Sequence, residues 1–318
     1  MCLYPRLIKN RRYLPNKKNG GVPPICDDHR KLYVAVGCGV CIECMKQKAL
    51  QWKIRLNEEL KVNKYAYYIT FTFSPDSLRE LMNEHEMTTE CNAIAGIAIR
   101  RYLERWRKKY KKSQKHFFIT ELGHENSERI HLHGIVFSDF AITRYEFERF
   151  WKYGNIRIGE YCNLKTINYI AKYITKIDKQ HKNYRPEIFC SAGIGKAYIQ
   201  KPFTKSIHNY NGENTVEYYK FHNGRKANLP IYYRNHLFSE DEREKLWIHK
   251  LEQNKRYVMG IEITNTDTIA GEDRYFRVLR KAQEKNAELG YGDITKEWQK
   301  KTYNVTRKML MKGTKKNI

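Results

Sequence analysis

The chain has 318 residues, 41% of them hydrophobic and 13% aromatic, with 60 lysines and arginines against 35 acidic residues and a formal charge of +25. That composition excludes a disordered chain, and the length allows one sizeable core or a core with appended subdomains. The basic surplus predicts a polyanionic partner, and no apolar run approaches the ~18 to 20 residues of a transmembrane helix.

In chain order, MCLYPRLIKNRRY lacks the apolar stretch of a signal peptide. The expectation is a reducing cytoplasm, where the eight cysteines are metal ligands or plain thiols rather than disulfides. PNKKNGGVPP predicts irregular structure, and CGVCIEC then places Cys38, Cys41 and Cys44 in a C-x2-C-x2-C spacing. Cys2 or Cys26 can supply the fourth thiolate of a closed, structural Zn2+ site, although an iron–sulfur cluster fits the spacing too. Met45, Ala49, Trp52, Leu56 and Leu60 recur at helical spacing. Tyr65–Phe73 (YAYYITFTF) reads as a strand bounded by SPDS. A second helix carries Ile99, Leu103, Trp106 and Tyr110 on one stripe. Between Arg100 and Lys115 lie nine Lys/Arg against one Glu, so the aromatics there read as core and the charges as a solvated face for DNA phosphates.

KHFFITEL and RIHLHGIVF are two strands joined by the polar turn GHENSE. Strand alternation puts His131 and His133 on one face, with Ile130, Leu132 and Val136 on the other. Two imidazoles about 7 Å apart along a strand can converge on one divalent ion, and Glu121 arrives beside them from the preceding strand. The plain alternative is a pair of polar residues on a solvent-facing strand. FERFWKYG predicts a short helix and Lys165–Asp178 a longer one. In the latter, Ile167, Ile170, Ile174 and Ile177 form a core stripe, and Tyr169, Lys172, Tyr173 and Lys176 a separate stripe pointing away from it. A phenol with a pKa of about 10 is a poor nucleophile, but adjacent ammonium groups favour the phenolate. Tyrosines and lysines lining a surface helix are the plainer reading. GIGK (Gly193–Lys196) is not a phosphate loop, because Ala197 stands where Ser or Thr must hold Mg2+ and Cys190 where the first glycine belongs. No use of ATP is therefore expected.

Beyond residue 180, HNYNGENTVEYYKFHNGRKANLPIYYR predicts a hairpin and the last fifty residues basic helix. The element order implies an α+β fold with a central antiparallel sheet and helices on one face. Four segments follow: a Cys-rich N-terminal segment and helix at 1–61, a core at 62–180, an extension at 181–260 and a basic helical tail at 261–318.

CLYP, CGVCIECMKQKALQWKIRLNEE, YYITFTFSPD, FFITELG with RIHLHGIVF, and NYIAKYITK follow one another in this order. Together they resemble the replication initiators of small single-stranded DNA phages, the gokushovirus-like Microviridae, within the HUH endonuclease superfamily. The resemblance covers residues 1 to 180 and continues loosely through LPIYYRNHL (Leu229–Leu237). It implies a two-layer HUH sandwich in which Phe71-Thr72-Phe73 lies on a central strand. His131 and His133 would hold Mg2+ or Mn2+, with Glu121 as third ligand. Thr120 departs from the glycine, and Ile130 from the proline, that flank those ligands in the family. Tyr169 and Tyr173 would be the nucleophiles, with Lys172 and Lys176 as phosphate or phenolate partners. The implied activity nicks single-stranded origin DNA of a phage genome, leaving a 5′-phosphotyrosine and a 3′-OH, then rejoins the ends to release circles. Host helicase and DNA polymerase are the implied partners, in the cytoplasm of a bacterial host and without a membrane. Two rivals are a plasmid or transposon HUH relative and a catalytically silent, zinc-containing DNA-binding protein.

Overall fold

The computed structural model describes residues 1–84, 90–123, 128–159, 161–178, 180–181, 184–292 and 298–312. Most of the GHENSE turn, at 124–127, and residues 313–318 of the basic tail lie outside the described residues. The chain forms two compact units, Ala49–Thr204 and Met1–Lys48 with Lys205–Ile318.

β1 (Arg6–Lys9) and β2 (Tyr33–Val36) pair antiparallel before α1 (Ile42–Leu60). Next come β3 (Tyr65–Thr72), α2 (Pro75–Glu84), α3 (Cys91–Tyr110), β4 (Lys115–Leu122), β5 (Ile130–Ser138) and α4 (Arg144–Phe150). β6 (Ile156–Ile158), α5 (Leu164–Thr175), β7 (Ile188–Cys190) and α6 (Lys196–Gln200) follow. The rest holds α7 (Pro202–Ile207), β8 (Tyr218–Lys220), β9 (Lys226–Asn228), α8 (Ile231–Leu237) and α9 (Glu240–Glu252). β10 (Arg256–Val258), β11 (Ile261–Ile263), α10 (Ile269–Glu288) and α11 (Lys300–Lys312) complete it.

The unit Ala49–Thr204 is built on a five-stranded sheet, order β6-β3-β5-β4-β7, every neighbouring pair antiparallel. On one face Ile69, Phe71, Phe118, Leu132 and Val136 pack with Ala98, Tyr102 and Trp106 of α3 and Phe147 and Phe150 of α4. Trp151 lies flat on Phe71, ring centroids 4.3 Å apart, and donates from Nε1 to the Thr72 carbonyl at 2.9 Å. On the other face Phe117, Ile119, Ile135 and Phe137 pack with Ala49 and Leu56 of α1 and Ile167, Ile170 and Ile174 of α5. Helices thus cover both faces, and the expected two layers become three around an α+β antiparallel sheet. The cause is visible in KHFFITEL, whose apolar residues occupy both parities of the strand, so both of its faces must be buried.

This unit also extends beyond the 62–180 core, taking in the second half of α1 and the edge strand β7. β6 and β7, three residues each, are too short to leave a period in the sequence. α2 has a start signal that the strand reading of SPDS overlooks: Pro75 at the first helical position behind Ser74, whose Oγ accepts from the Ser77 N–H at 3.1 Å. The GIGK loop closes over a buried carboxylate, with the Gly195 N–H donating to Glu59 Oε2 at 2.6 Å.

Gly134 sits opposite Phe118 in the β4–β5 register. A Cβ at this position would overlap the Phe118 ring and the Phe117 carbonyl. Gly134→Ala should therefore cost about 2–3 kcal/mol of stability, read as a lower midpoint in urea unfolding.

In the other unit the β8–β9 hairpin lies where the sequence predicts one. The tail is helical in α10 and α11, but α10 is no appendage. Its Tyr275, Leu279 and Ala282 join Leu3, Tyr4, Cys41, Ile42, Val258 and Ile263 in one core. No helix among the described residues is long and apolar enough to cross a membrane.

Candidate active site

The alternation of three adjacent strands sets the site on the α5 face of the sheet. Thr70 pairs with His133 across β3 and β5, and Glu121 with His131 across β4 and β5. Glu121 does not stay with its direct neighbour. Its Oε2 accepts from His133 Nε2 at 2.8 Å, and its Oε1 takes the ammonium of Lys176. With Nε2 donating, His133 Nδ1 is an acceptor for the hydroxyls of Thr70 at 3.1 Å and Tyr68 at 3.2 Å. Burial alone would push Glu121 up, but the bonds from His133 and Lys176 outweigh it and hold the carboxyl below its ordinary value. Burial, aided by the neighbouring His133, pushes His131 below the ordinary imidazole value. At neutral pH the face therefore offers an ionised carboxylate and a neutral His131.

α5 is started by Asn163, whose Oδ1 accepts from the Lys165 and Thr166 N–H groups. Ile167, Ile170 and Ile174 are buried as the sequence predicts. Ile177 is not on the stripe, because the helix ends at Thr175. The two tyrosines also differ. Tyr169 is 46% exposed, whereas Tyr173 is 8% exposed and packs in the core cluster, so the expected single outward stripe is split. The Tyr173 ring stacks on His133 with centroids 4.4 Å apart and planes at 9°. Its hydroxyl donates to Tyr169 Oη at 2.7 Å. Burial first, then that donated bond, pushes the Tyr173 phenol well above its ordinary value. Lys172 is exposed, and Lys176, just past the helix end, spends its ammonium on Glu121 rather than on a phenol.

Tyr68 and Thr70, which hold His133 Nδ1, escaped the sequence reading. The signal was available, since they share the parity of Thr72 on the strand hydrogen-bonded to the histidine strand.

A second constellation lies in the other unit. The sulfurs of Cys2, Cys38, Cys41 and Cys44 all lie within 4.8 Å of one another, and Cys26 instead bonds the Asp28 carbonyl at 3.1 Å. Among the described residues no other set of His, Cys, Asp and Glu gathers so closely, and His131, His133 and Glu121 do not. Sulfurs at about 2.3 Å from a tetrahedral Zn2+ stand about 3.8 Å apart; Cys38–Cys44 and Cys2–Cys41 are each 4.0 Å apart. Several irons would hold the sulfurs farther apart. Backbone N–H groups of Leu3, Tyr4, Cys38 and Cys41 point at these sulfurs at 3.1–3.5 Å, which favours thiolate. The bond to Cys2, above all, lowers the Cys41 thiol to about 6. This cluster could bind a structural metal such as zinc.

Residues 66–178 match the family model of the replication-associated proteins of the ORF2 type. That span runs from β3 through α5 and contains every residue of the sheet-and-helix constellation. The match supports a replication-initiator role. No curated protein and no solved structure matches the chain.

Proposed function

We propose that this chain is a rolling-circle replication initiator of the HUH type, a tyrosine endonuclease that nicks and rejoins single-stranded origin DNA of a phage genome. The observation that carries this reading is the Tyr173 ring stacked on His133 while its hydroxyl bonds to Tyr169. Candidate nucleophiles and candidate metal ligands then share one site. A silent DNA-binding protein has no use for that arrangement.

His131, His133 and Glu121 are a donor set suited to Mn2+ or Mg2+: two imidazoles and an ionised carboxylate on one sheet face. Thr70 and Tyr68 fit that role, since hydroxyls accept as well as donate and so allow His133 to carry its proton on Nδ1 and present a lone pair at Nε2. When bound, the ion would polarise the scissile phosphate and neutralise charge there.

Tyr169 attacks first. It is exposed, so it reaches DNA and releases its proton to water, and the hydrogen bond from Tyr173 stabilises its developing phenolate. Its oxygen displaces the 3′-oxygen in line: the Tyr O–P bond forms, the P–O3′ bond breaks, and the 3′-oxygen takes up a proton. The product is a 5′-phosphotyrosine and a 3′-OH for a host polymerase. Tyr173 performs the second cut, and the released 3′-OH reverses the first link to close a circle. One phosphodiester is exchanged for another, so no ATP is needed. Without a motor of its own the protein would work behind a host helicase.

The reading is tested by incubating labelled single-stranded oligonucleotides carrying candidate phage origins with protein and Mn2+, then resolving the products under denaturing conditions. A covalent protein–DNA band is expected. Binding without adduct across many origins and both ions would favour the silent zinc-containing protein. The ligand set also has a pH signature. His131 and Glu121 both titrate below their ordinary values, so Mn2+ affinity by calorimetry should be level between pH 7 and 8. It should weaken only as pH falls below about 6, when protons compete for the imidazoles.

A further inference from the structure

The unit formed by Met1–Lys48 and Lys205–Ile318 contains a cleft of about 1590 Å³ that the nuclease reading does not use. Eleven lysines and arginines line it against three glutamates. Those acids are already neutralised. Glu217 holds Arg234 at 2.9 Å and Lys250 at 2.6 Å, Glu244 holds Arg12 at 3.0 Å, and Glu240 faces Arg243 at 3.8 Å. Lys31 and Lys255 are paired to Asp27 and Glu262. Five lining cations, Arg11, Lys17, Lys18, Arg256 and Arg307, have no acidic partner among the described residues.

Arg256 is the telling one. It is 3% exposed, donates from Nη2 to Tyr303 Oη at 2.7 Å, and lies over the Tyr275 ring at 3.1 Å. A buried guanidinium without a counter-charge is costly unless an anion arrives to meet it. Lys17 and Lys18 are exposed, yet their backbone is fixed. Their 3-10 turn is capped at Asn16, whose side chain also ties back to the carbonyls of Arg11 and Leu14 at 2.8 Å. The cleft exceeds the roughly 300–1,000 Å³ of ordinary small-molecule pockets, and Tyr218, Trp247 and Tyr257 line it among the cations. Unmatched cations interleaved with aromatic rings track a phosphate backbone while its bases stack.

We propose that this cleft binds single-stranded DNA, a second contact apart from the scissile site, with Arg256 and Arg307 receiving phosphates from inside and Lys17 and Lys18 from the rim. The proposal rests on reading the chain as a DNA enzyme, and it fails separately from that reading.

The test uses the full-length, zinc-loaded Tyr169→Phe/Tyr173→Phe protein, so that cutting does not deplete the probe, and a fluorescein-labelled thymidine 24-mer titrated by anisotropy over a range of salt. Adding Lys17→Ala, Lys18→Ala and Arg307→Ala should weaken binding about tenfold and reduce the slope of log K against log salt by about 2. Arg256→Lys, which keeps the charge but loses the planar fork, should also weaken it. Unchanged affinity and slope in the triple variant, with an unchanged melting curve, would overturn the proposal. Tighter binding of a duplex through the same residues would overturn the single-strand assignment. If wild type forms no covalent adduct yet the triple variant loses the 24-mer, the nuclease reading fails and the cleft stands. Adduct formation with an indifferent triple variant gives the reverse.

Discussion

Replacing both Tyr169 and Tyr173 with Phe should abolish the covalent adduct with origin DNA, a loss of at least about 10³-fold, because no other group is placed to attack. The single variants should differ. Tyr169→Phe removes the exposed oxygen and leaves only Tyr173, whose phenol is buried and pushed up by burial and by the bond it donates; first-strand cleavage should fall about 10²-fold or more. Tyr173→Phe keeps the ring stacked on His133 and loses only the hydrogen bond to Tyr169. A hydrogen bond to a developing anion is worth about 1.5–3 kcal/mol, so the loss should be about tenfold to a hundredfold. Circle closure should suffer more than the first cut in that variant. His131→Ala should remove adducts about 10²-fold or more without changing the melting temperature by more than a few degrees. Equal effects of the two single tyrosine variants on the first cut would refute the assigned order of attack.

Removing zinc should unfold the unit formed by Met1–Lys48 and Lys205–Ile318. Structural Zn2+ contributes about 10–16 kcal/mol in small thiolate sites, as much as or more than the ~5–15 kcal/mol that holds a typical domain together. Here the cluster is continuous with a core. Cys41 is fully buried beside Leu3, Tyr4 and Ile42, and these pack with Val258, Tyr275 and Leu279. Wild type should carry one zinc per chain by elemental analysis, and a strong chelator should abolish one cooperative transition in calorimetry. Cys41→Ser should do the same without chelator. Cys26→Ser should leave both zinc content and melting unchanged, since Cys26 lies outside the four sulfurs and meets only the Asp28 carbonyl. A metal-free protein with an intact melting curve would remove the structural zinc.

The long elements were legible because their period was unmistakable. β4 runs over Lys115–Leu122, the KHFFITEL segment itself, and the helices bearing Trp106 and Tyr169 lie where their apolar stripes place them. The side-chain partners were not legible, because they depend on register and rotamer. Alternation puts Glu121 beside His131, yet the carboxylate turns diagonally to His133 and Lys176. A helix ending one turn early carried Lys176 off the tyrosine stripe, and Tyr173 entered the core because its face also meets His133. The second helical layer could have been read from the apolar residues on both parities of β4. The cleft could not, since its lining comes from segments hundreds of residues apart in the chain.

The three central strands, eight or nine residues each, are flanked on both sides by strands of only three. A sheet so bordered has little free backbone with which to recruit a strand from another copy. Fibril growth and runaway strand exchange are suppressed by geometry rather than by surface charge. High salt, which screens the +25 charge, should leave the protein dispersed.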